Sequence, residues 1–222
     1  MARLARNLMR GPEVDPDRDA ALIAFRKAAA TGSRAARLGL AAHIYYDHKK
    51  PELADEARVL LDALVADDAD GQATLLLGHF HSQGFGVPKD TAKSLGLHRE
   101  SAARGNANAM FELSVLLSIG DGVAPDPKQA REWVRKAAEA GHARAMYNMG
   151  AFAATGNGTP KDLAEAVRWY RGSSEAGNGR ATFTLALMTM NGEGIEADDA
   201  AAEDLLELAR SQGFDVDGAL GA

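Results

Sequence analysis

The first residues in this sequence whose spacing could support chemistry are the glycines of the segment SQGFGVPKD, residues 82–90. Gly84 and Gly86 lie two positions apart, and Lys89 follows shortly after them. The backbone N–H groups of a glycine-rich loop can bind a phosphate, with a lysine supplying positive charge. Such a loop follows a β-strand and ends in Lys-Ser or Lys-Thr, and this segment has neither feature. We therefore interpret the glycines as turn residues, in conformations that a Cβ disfavours.

The same phrase occurs three more times along the chain, which supports this structural interpretation. The copies SIGDGVAPD, ATGNGTPKD and MNGEGIEAD begin at residues 118, 154 and 190. The first glycine of each copy lies 36 residues after the previous one (Gly84, Gly120, Gly156 and Gly192). A period of about 20–50 residues indicates a repeat architecture. A structural unit is commonly repeated in this way, whereas a catalytic loop rarely is.

The other polar residues form no pattern typical of a metal or catalytic site. The chain has no cysteine, which excludes thiolate ligands and cysteine nucleophiles. No H-E-x-x-H pair is present, and we predict that the histidines lie on the surface or in a groove (His43, His48, His79, His81, His98 and His142). The segment around Asp68 resembles a calcium loop, but its twelfth position would be Leu77 instead of glutamate. We predict no metal, no cofactor and no catalytic residue, with an unrecognised hydrolase as an alternative.

Charge and hydropathy narrow the possible partners. The formal net charge is −6 and no basic patch dominates, so we expect no nucleic acid partner. No apolar stretch approaches the length of a membrane span, and we predict a soluble, cytoplasmic protein without membrane insertion. Arg3, Arg6 and Arg10 leave open a transit peptide at the N-terminus.

The pattern of small and large side chains predicts two helices around each glycine pair, which we name helix A and helix B. Helix A precedes the turn and is predicted near residues 73–82, 109–118, 145–154 and 181–190. Helix B begins after an aspartate that can accept hydrogen bonds from the first N–H groups of the helix (Asp90, Asp126, Asp162 and Asp198). It ends at a glycine suited to a left-handed conformation (Gly105, Gly141, Gly177 and Gly213). Trp133, Trp169 and Leu205 share one position of helix B and are predicted to be buried.

The domain boundaries follow from the same pattern. We predict repeats at residues 73–108, 109–144, 145–180 and 181–213, with a tail at 214–222. Residues 17–72 are interpreted as degenerate repeats, in which 34–66 form a helix pair without the Gly-x-Gly turn. Residues 1–16 are predicted to be an extension or a helix that covers the first repeat. Degenerate ends are expected because terminal repeats must face water.

The motif resembles the Sel1-like repeat, a relative of the tetratricopeptide repeat. The resemblance is good over 73–213 and weak over 17–72, and it is carried by Leu77-Gly78, Gly84, Gly86, Val87-Pro88-Lys89-Asp90 and Ala102-Ala103-Arg104-Gly105-Asn106. A second copy shows Gly156, Gly158, Pro160-Lys161-Asp162, Ala166, Trp169-Tyr170 and Glu175-Ala176-Gly177-Asn178. The resemblance implies an all-α fold, an α/α solenoid of antiparallel helix pairs that form a right-handed superhelix. It also implies an adaptor or scaffold, without identifying the partner.

The tetratricopeptide relatives further imply which positions of helix A face a ligand. Transferred to this chain, they predict a protein- or peptide-binding surface on the concave face (Asn108, Phe111, Arg144, Tyr147, Asn148, Arg180, Phe183 and Thr184). Arg144 and Asn148 lie four residues apart, hence on one helix face. They resemble the clamp with which some tetratricopeptide domains hold a peptide carboxylate, although Glu112 would repel such a group. Packing between repeats is the alternative role of the aromatic residues, and a structural or oligomeric regulatory module is the alternative function. We expect a monomer or a weak oligomer.

Overall fold

The computed structural model describes residues 18–48, 51–158 and 160–221, and it confirms the predicted all-α fold of helix pairs. Helix makes up 74% of the chain, and no strand occurs within the described ranges. The helices are α1 (Arg18–Ala29), α2 (Arg34–His43), α3 (Ala54–Val65), α4 (Gln72–Gln83), α5 (Thr91–Ala103), α6 (Ala107–Ile119), α7 (Pro127–Glu139), α8 (Ala143–Thr155), α9 (Leu163–Glu175), α10 (Gly179–Asn191), α11 (Asp199–Ser211) and α12 (Val216–Leu220). Residues 1–16, predicted as an extension or capping helix, lie outside the described residues.

The contacts divide the chain into two units, Met1–Asn106 and Ala107–Ala222. In the N-terminal unit, α4 and α5 form a regular hairpin, whereas α2 continues into a short π-helical segment, Ile44–His48, and a 3₁₀ turn precedes α3. Its core combines aliphatic side chains with aromatic rings, among them the fully buried Phe80. The irregular connection lies where the sequence has lost the Gly-x-Gly turn.

The C-terminal unit contains three hairpins in which a helix A packs on the following helix B: α6 on α7, α8 on α9, and α10 on α11. The helices B begin 36 residues apart, as the period predicts. One alanine position of helix B is almost completely buried in every hairpin, which allows the helices to approach closely (Ala130, Ala166 and Ala202).

The helix ends confirm the predicted caps. The aspartate side chains accept the N–H group three residues later, at 2.9 Å in three cases and 3.0 Å in the fourth (Asp90, Asp126, Asp162 and Asp198). In the turn between α8 and α9, Gly156 has a φ of 73° and donates its N–H to the carbonyl oxygen of Phe152 at 2.9 Å. A side chain is strained in this left-handed conformation, so the glycines serve the turn, as predicted.

Two predictions about burial were wrong. The rings of Trp133 and Trp169 are partly exposed: Lys136 lies 4.3 Å from the Trp133 ring centre, and Trp169 donates its indole N–H to Glu165 at 3.2 Å. An amphipathic ring can cover a helix surface while its polar atoms or its face remain accessible. His43, His81 and His98 are buried, not on the surface.

Candidate functional site

The sequence-predicted binding residues lie on the three helices A of the C-terminal unit, which are α6, α8 and α10. Asn108 and Phe111 belong to α6, and the others belong to α8 (Arg144, Tyr147 and Asn148) and α10 (Arg180, Phe183 and Thr184). Their spacings of three and four residues place the members of each helix on one face. Asn108, Arg144 and Arg180 are exposed, whereas the other members are partly buried.

The aromatic residues of this set pack against rings of the same unit. Phe111 stacks on His142 with ring centres 4.3 Å apart, and Phe183 lies 4.9 Å from Phe214. Tyr147 lies 5.4 Å from Tyr170, whose pKa burial raises to about 12. Each of these ring pairs lies within one repeat, so the rings pack inside the repeats, not between them as the alternative role had it.

His142 connects this packing to the start of α8. Its Nδ1 accepts the N–H of Ala145 at 3.1 Å and thereby caps the helix. An imidazole nitrogen accepts a hydrogen bond only when it carries no proton, so the cap requires the neutral ring. Burial, together with the charge of Arg144, lowers the pKa of His142 and favours that form.

Arg144 and Arg180 are brought together by the fold. Both line a cavity of ≈ 390 Å³, where Asn178, Gln212 and Phe214 are also found. The guanidinium of Arg180 lies 5.7 Å from the ring centre of Tyr147, within the range of a cation–π contact. No carboxylate in the described parts of the chain lies within ion-pair distance of either arginine. The two cations therefore face solvent without a counter-ion from these residues.

The other predicted residues do not line this cavity. Asn148 is partly buried on α8, and Thr184 donates its hydroxyl to the carbonyl oxygen of Arg180 at 2.9 Å, within its own helix. Sequence reasoning missed Asn178, Gln212 and Phe214 because it considered only helix A. Their signal is their place beside Gly177 and Gly213, the glycines that end helix B and turn the chain toward the next element.

The segment that resembled a calcium loop holds protein cations instead. The carboxylate of Asp68 is completely buried and forms ion pairs with Arg34 and with Arg104, the latter at 3.2 Å. It also accepts the N–H groups of Ala73 and Thr74 at 3.2 and 2.8 Å. Burial by itself raises the pKa of Asp68, but these hydrogen bonds outweigh it, so the pKa lies below its ordinary value. Asp68 is therefore a structural ion-pair residue.

Helix pairs that recur with a 36-residue period define a helical repeat protein. A family model described as Sel1 repeat matches residues 1–33, 71–106, 107–142, 143–178 and 180–214. The chain belongs to the Sel1 repeat family, as the motif resemblance predicted.

Solved structures of other repeat proteins are similar to this chain. A Sel1 repeat protein from Oxalobacter formigenes is 28% identical with a TM-score of 0.64, over 78% of this chain and 70% of its own. A protective antigen of uropathogenic Escherichia coli with an SLR fold is 28% identical with a TM-score of 0.65, over 96% of this chain. The chain spans 45% of that antigen. The immunity protein Pa5087 from Pseudomonas aeruginosa shares the fold, with 20% identity, a TM-score of 0.62, and coverage of 97% of this chain and 80% of its own.

Two further comparisons are negative. Among curated proteins, none matches the sequence. Within the described residues, every helix is too short or too polar to cross a bilayer.

Proposed function

We propose that this protein is a non-catalytic, cytoplasmic scaffold that binds another protein or a peptide, and that the cavity lined by Arg144 and Arg180 receives an acidic group of the partner. The observation that carries the proposal is the pairing of two exposed arginines at one cavity, without a carboxylate from the described residues. The other sequence-predicted residues lie on α6, α8 and α10 and do not line this cavity.

The chemistry of the cavity supports an acidic ligand. A guanidinium donates two parallel hydrogen bonds to a carboxylate, and this geometry gives both affinity and orientation. Gln212 and Asn178 also line the cavity, but their side-chain amides already donate within the protein, Gln212 to the carbonyl oxygen of Ser174 at 2.9 Å and Asn178 to Ser173 at 3.0 Å. The ring of Phe214 adds an apolar wall. A carboxylate next to an apolar side chain, as at a peptide C-terminus or an acidic loop, matches these groups.

A charge-reversal experiment tests the proposal. The variant Arg144→Glu, Arg180→Glu is compared with the parent on an array of peptides that carry either a free C-terminal carboxylate or a C-terminal amide. We expect the parent to retain carboxylate peptides and the variant to lose them. The matched control is Arg168→Glu, Arg171→Glu, which reverses two exposed arginines of α9 outside the cavity. Equal binding by the parent and the cavity variant, at equal melting temperature, would contradict the proposal.

A structural or oligomeric module is the second candidate, and one observation favours it. Val115 and Ile119 on α6 are 42% and 66% exposed, which is unusual for two neighbouring apolar residues on one helix face. A second copy of the chain could cover them. Light scattering of the parent and of Val115→Ser, Ile119→Ser tests this candidate: a mass above the monomer in the parent alone would support it, and a monomer at all concentrations would remove it.

A further inference from the structure

The turn between α8 and α9 contains an Asn-Gly pair, Asn157–Gly158, in contact with an arginine of the preceding helix B. Arg131 donates from Nη1 to the main-chain carbonyl oxygen of Asn157 at 2.9 Å. It also donates from Nη2 to the side-chain Oδ1 of the same residue at 3.3 Å. One guanidinium thus contacts both carbonyl groups of Asn157. The guanidinium also lies 5.1 Å from the ring centre of Phe152, which fixes its position.

Asn-Gly pairs have a known intrinsic chemistry. The backbone nitrogen of the glycine attacks Cγ of the asparagine, a C–N bond forms, and the side-chain nitrogen leaves as ammonia. Water then opens the resulting succinimide at either carbonyl, giving aspartate or isoaspartate. The balance is asparagine plus water to the acid plus ammonia, so no oxidant or cofactor is needed. Glycine permits the attack because it has no Cβ to block the approach.

The contacts of Arg131 favour both partners of this reaction. The main-chain carbonyl of Asn157 is conjugated with the attacking nitrogen of Gly158. The positively charged guanidinium that donates to this carbonyl oxygen therefore makes the N–H of Gly158 more acidic. A donor on Oδ1 polarises the carbonyl that is attacked and stabilises the negative charge that develops there. A Cβ at residue 158 would overlap Nη1 of Arg131, which shows how closely the guanidinium lies against the reacting peptide bond.

The chain contains two other Asn-Gly pairs, and their surroundings differ. At Asn191–Gly192, the glycine N–H already donates to the carbonyl oxygen of Met188, so the nitrogen is engaged in a helix cap. At Asn178–Gly179, the asparagine side chain donates to Ser173 at 3.0 Å and the glycine is buried. Unlike that of Gly192, the N–H of Gly158 has no acceptor among the described residues, and unlike Gly179, Gly158 is exposed.

We propose that Asn157 is a self-modification site, where Arg131 promotes attack by the Gly158 nitrogen and converts the amide to aspartate or isoaspartate. The product places a carboxylate next to Arg131, which lines a cavity of ≈ 680 Å³ with Gly158, with the cations Lys128, Arg135 and Lys136 and with the carboxylates Glu132 and Glu139. The modification therefore removes positive potential from this cavity. Isoaspartate also adds a backbone carbon to the turn between helix A and helix B.

Peptide mapping by mass spectrometry tests the proposal. The folded parent is incubated in mildly alkaline buffer, and the acid and isoaspartate fractions at Asn157, Asn178 and Asn191 are followed over time. We expect Asn157 to convert several-fold faster than the other two, and faster than in the chain unfolded in urea. Arg131→Ala should remove this advantage. Arg135→Ala, one turn further along α7 and without a contact to Asn157, should retain it.

Two outcomes would overturn the inference: conversion at Asn157 no faster than at Asn191 in the folded parent, or an unchanged or higher rate at Asn157 in Arg131→Ala. Arg131→Lys keeps the positive charge but lacks the planar pair of donors. It is the second variant in case Arg131→Ala lowers the stability of the fold. If Arg131→Lys melts like the parent and yet converts more slowly, the double contact is the cause.

Discussion

The N-terminal and C-terminal units hold the same repeat position in different ways. In the N-terminal unit, Thr74 accepts a hydrogen bond from Arg104 at 2.7 Å, and Arg104 also pairs with the buried Asp68. In the C-terminal unit, the same position is occupied two repeats later by Met146, which packs in an apolar cluster. Three repeats later it is occupied by Thr182, whose hydroxyl donates to the uncharged Gln212. One backbone period can thus be stabilised by a buried charge network or by apolar packing, and the two should respond differently to mutation.

The largest expected effect breaks the charge network. Asp68→Ala removes the acceptor of two backbone N–H groups and the buried carboxylate that Arg34 and Arg104 share. Among the carboxylates of the described residues, Arg34 then keeps only Asp70 at 3.3 Å, and Arg104 keeps only Glu100 at 2.7 Å. We expect the free energy of unfolding to fall by about 3 kcal/mol, the lower end for a broken buried ion pair, because both arginines are partly exposed. Urea denaturation measures the loss, and hydrogen exchange should place it in the N-terminal unit. Asp67→Ala, a neighbouring exposed aspartate, is the control and should melt close to the parent.

This comparison also shows what the sequence could predict. The caps at Asp126 and Asp162 depend on residues three positions apart, so local sequence determines them. The arginine partners of Asp68 lie 34 and 36 positions away in the sequence. Its ion pairs therefore depend on the tertiary fold and could not be predicted from the local segment that resembles a calcium loop. The cavity at Arg144 and Arg180 was predicted only in part, because its other walls belong to the loops that follow helix B.

A smaller effect should be common to both units. Gly78 and Gly150 occupy one position of helix A, and an added Cβ would lie 2.9 Å from the His98 ring and 2.7 Å from the Tyr170 ring. Each alanine substitution must displace a packed ring, and we expect a loss of about 1–3 kcal/mol at either site. Thermal unfolding measures it. Gly172→Ala is the control, since its Cβ would meet only the flexible end of Met146 at 3.2 Å. A parent-like melt of Gly150→Ala would show that the ring of Tyr170 can move without cost.

The smallest effect concerns pH and again involves both units. Burial lowers the pKa of His81 in the N-terminal unit and of His142 in the C-terminal unit, in each case assisted by a nearby cation. The two histidines therefore bind protons more readily in the unfolded chain than in the folded protein. Their contribution to the free energy of unfolding is complete above a pH of about 6.5 and is lost as the pH falls toward the folded pKa values.

Urea denaturation at a series of pH values measures this dependence. His142→Asn keeps a side-chain acceptor at the start of α8 but does not titrate, so its stability should depend less steeply on pH than that of the parent. Identical slopes for the two proteins would show that His142 is not responsible.

The serine bonds inside the hairpins have a consequence for how the array can change in evolution. Ser101 donates to the carbonyl oxygen of Gly71 at 2.7 Å, and Ser173 donates to that of Ala143 at the same distance. Both bonds span 30 residues, and each begins and ends within one repeat. A duplication or deletion of one whole repeat therefore leaves these bonds intact in the other repeats, whereas an insertion between the two residues separates donor from acceptor. For this reason, the gain or loss of a whole repeat should disturb these hydrogen bonds less than a much shorter insertion inside a repeat.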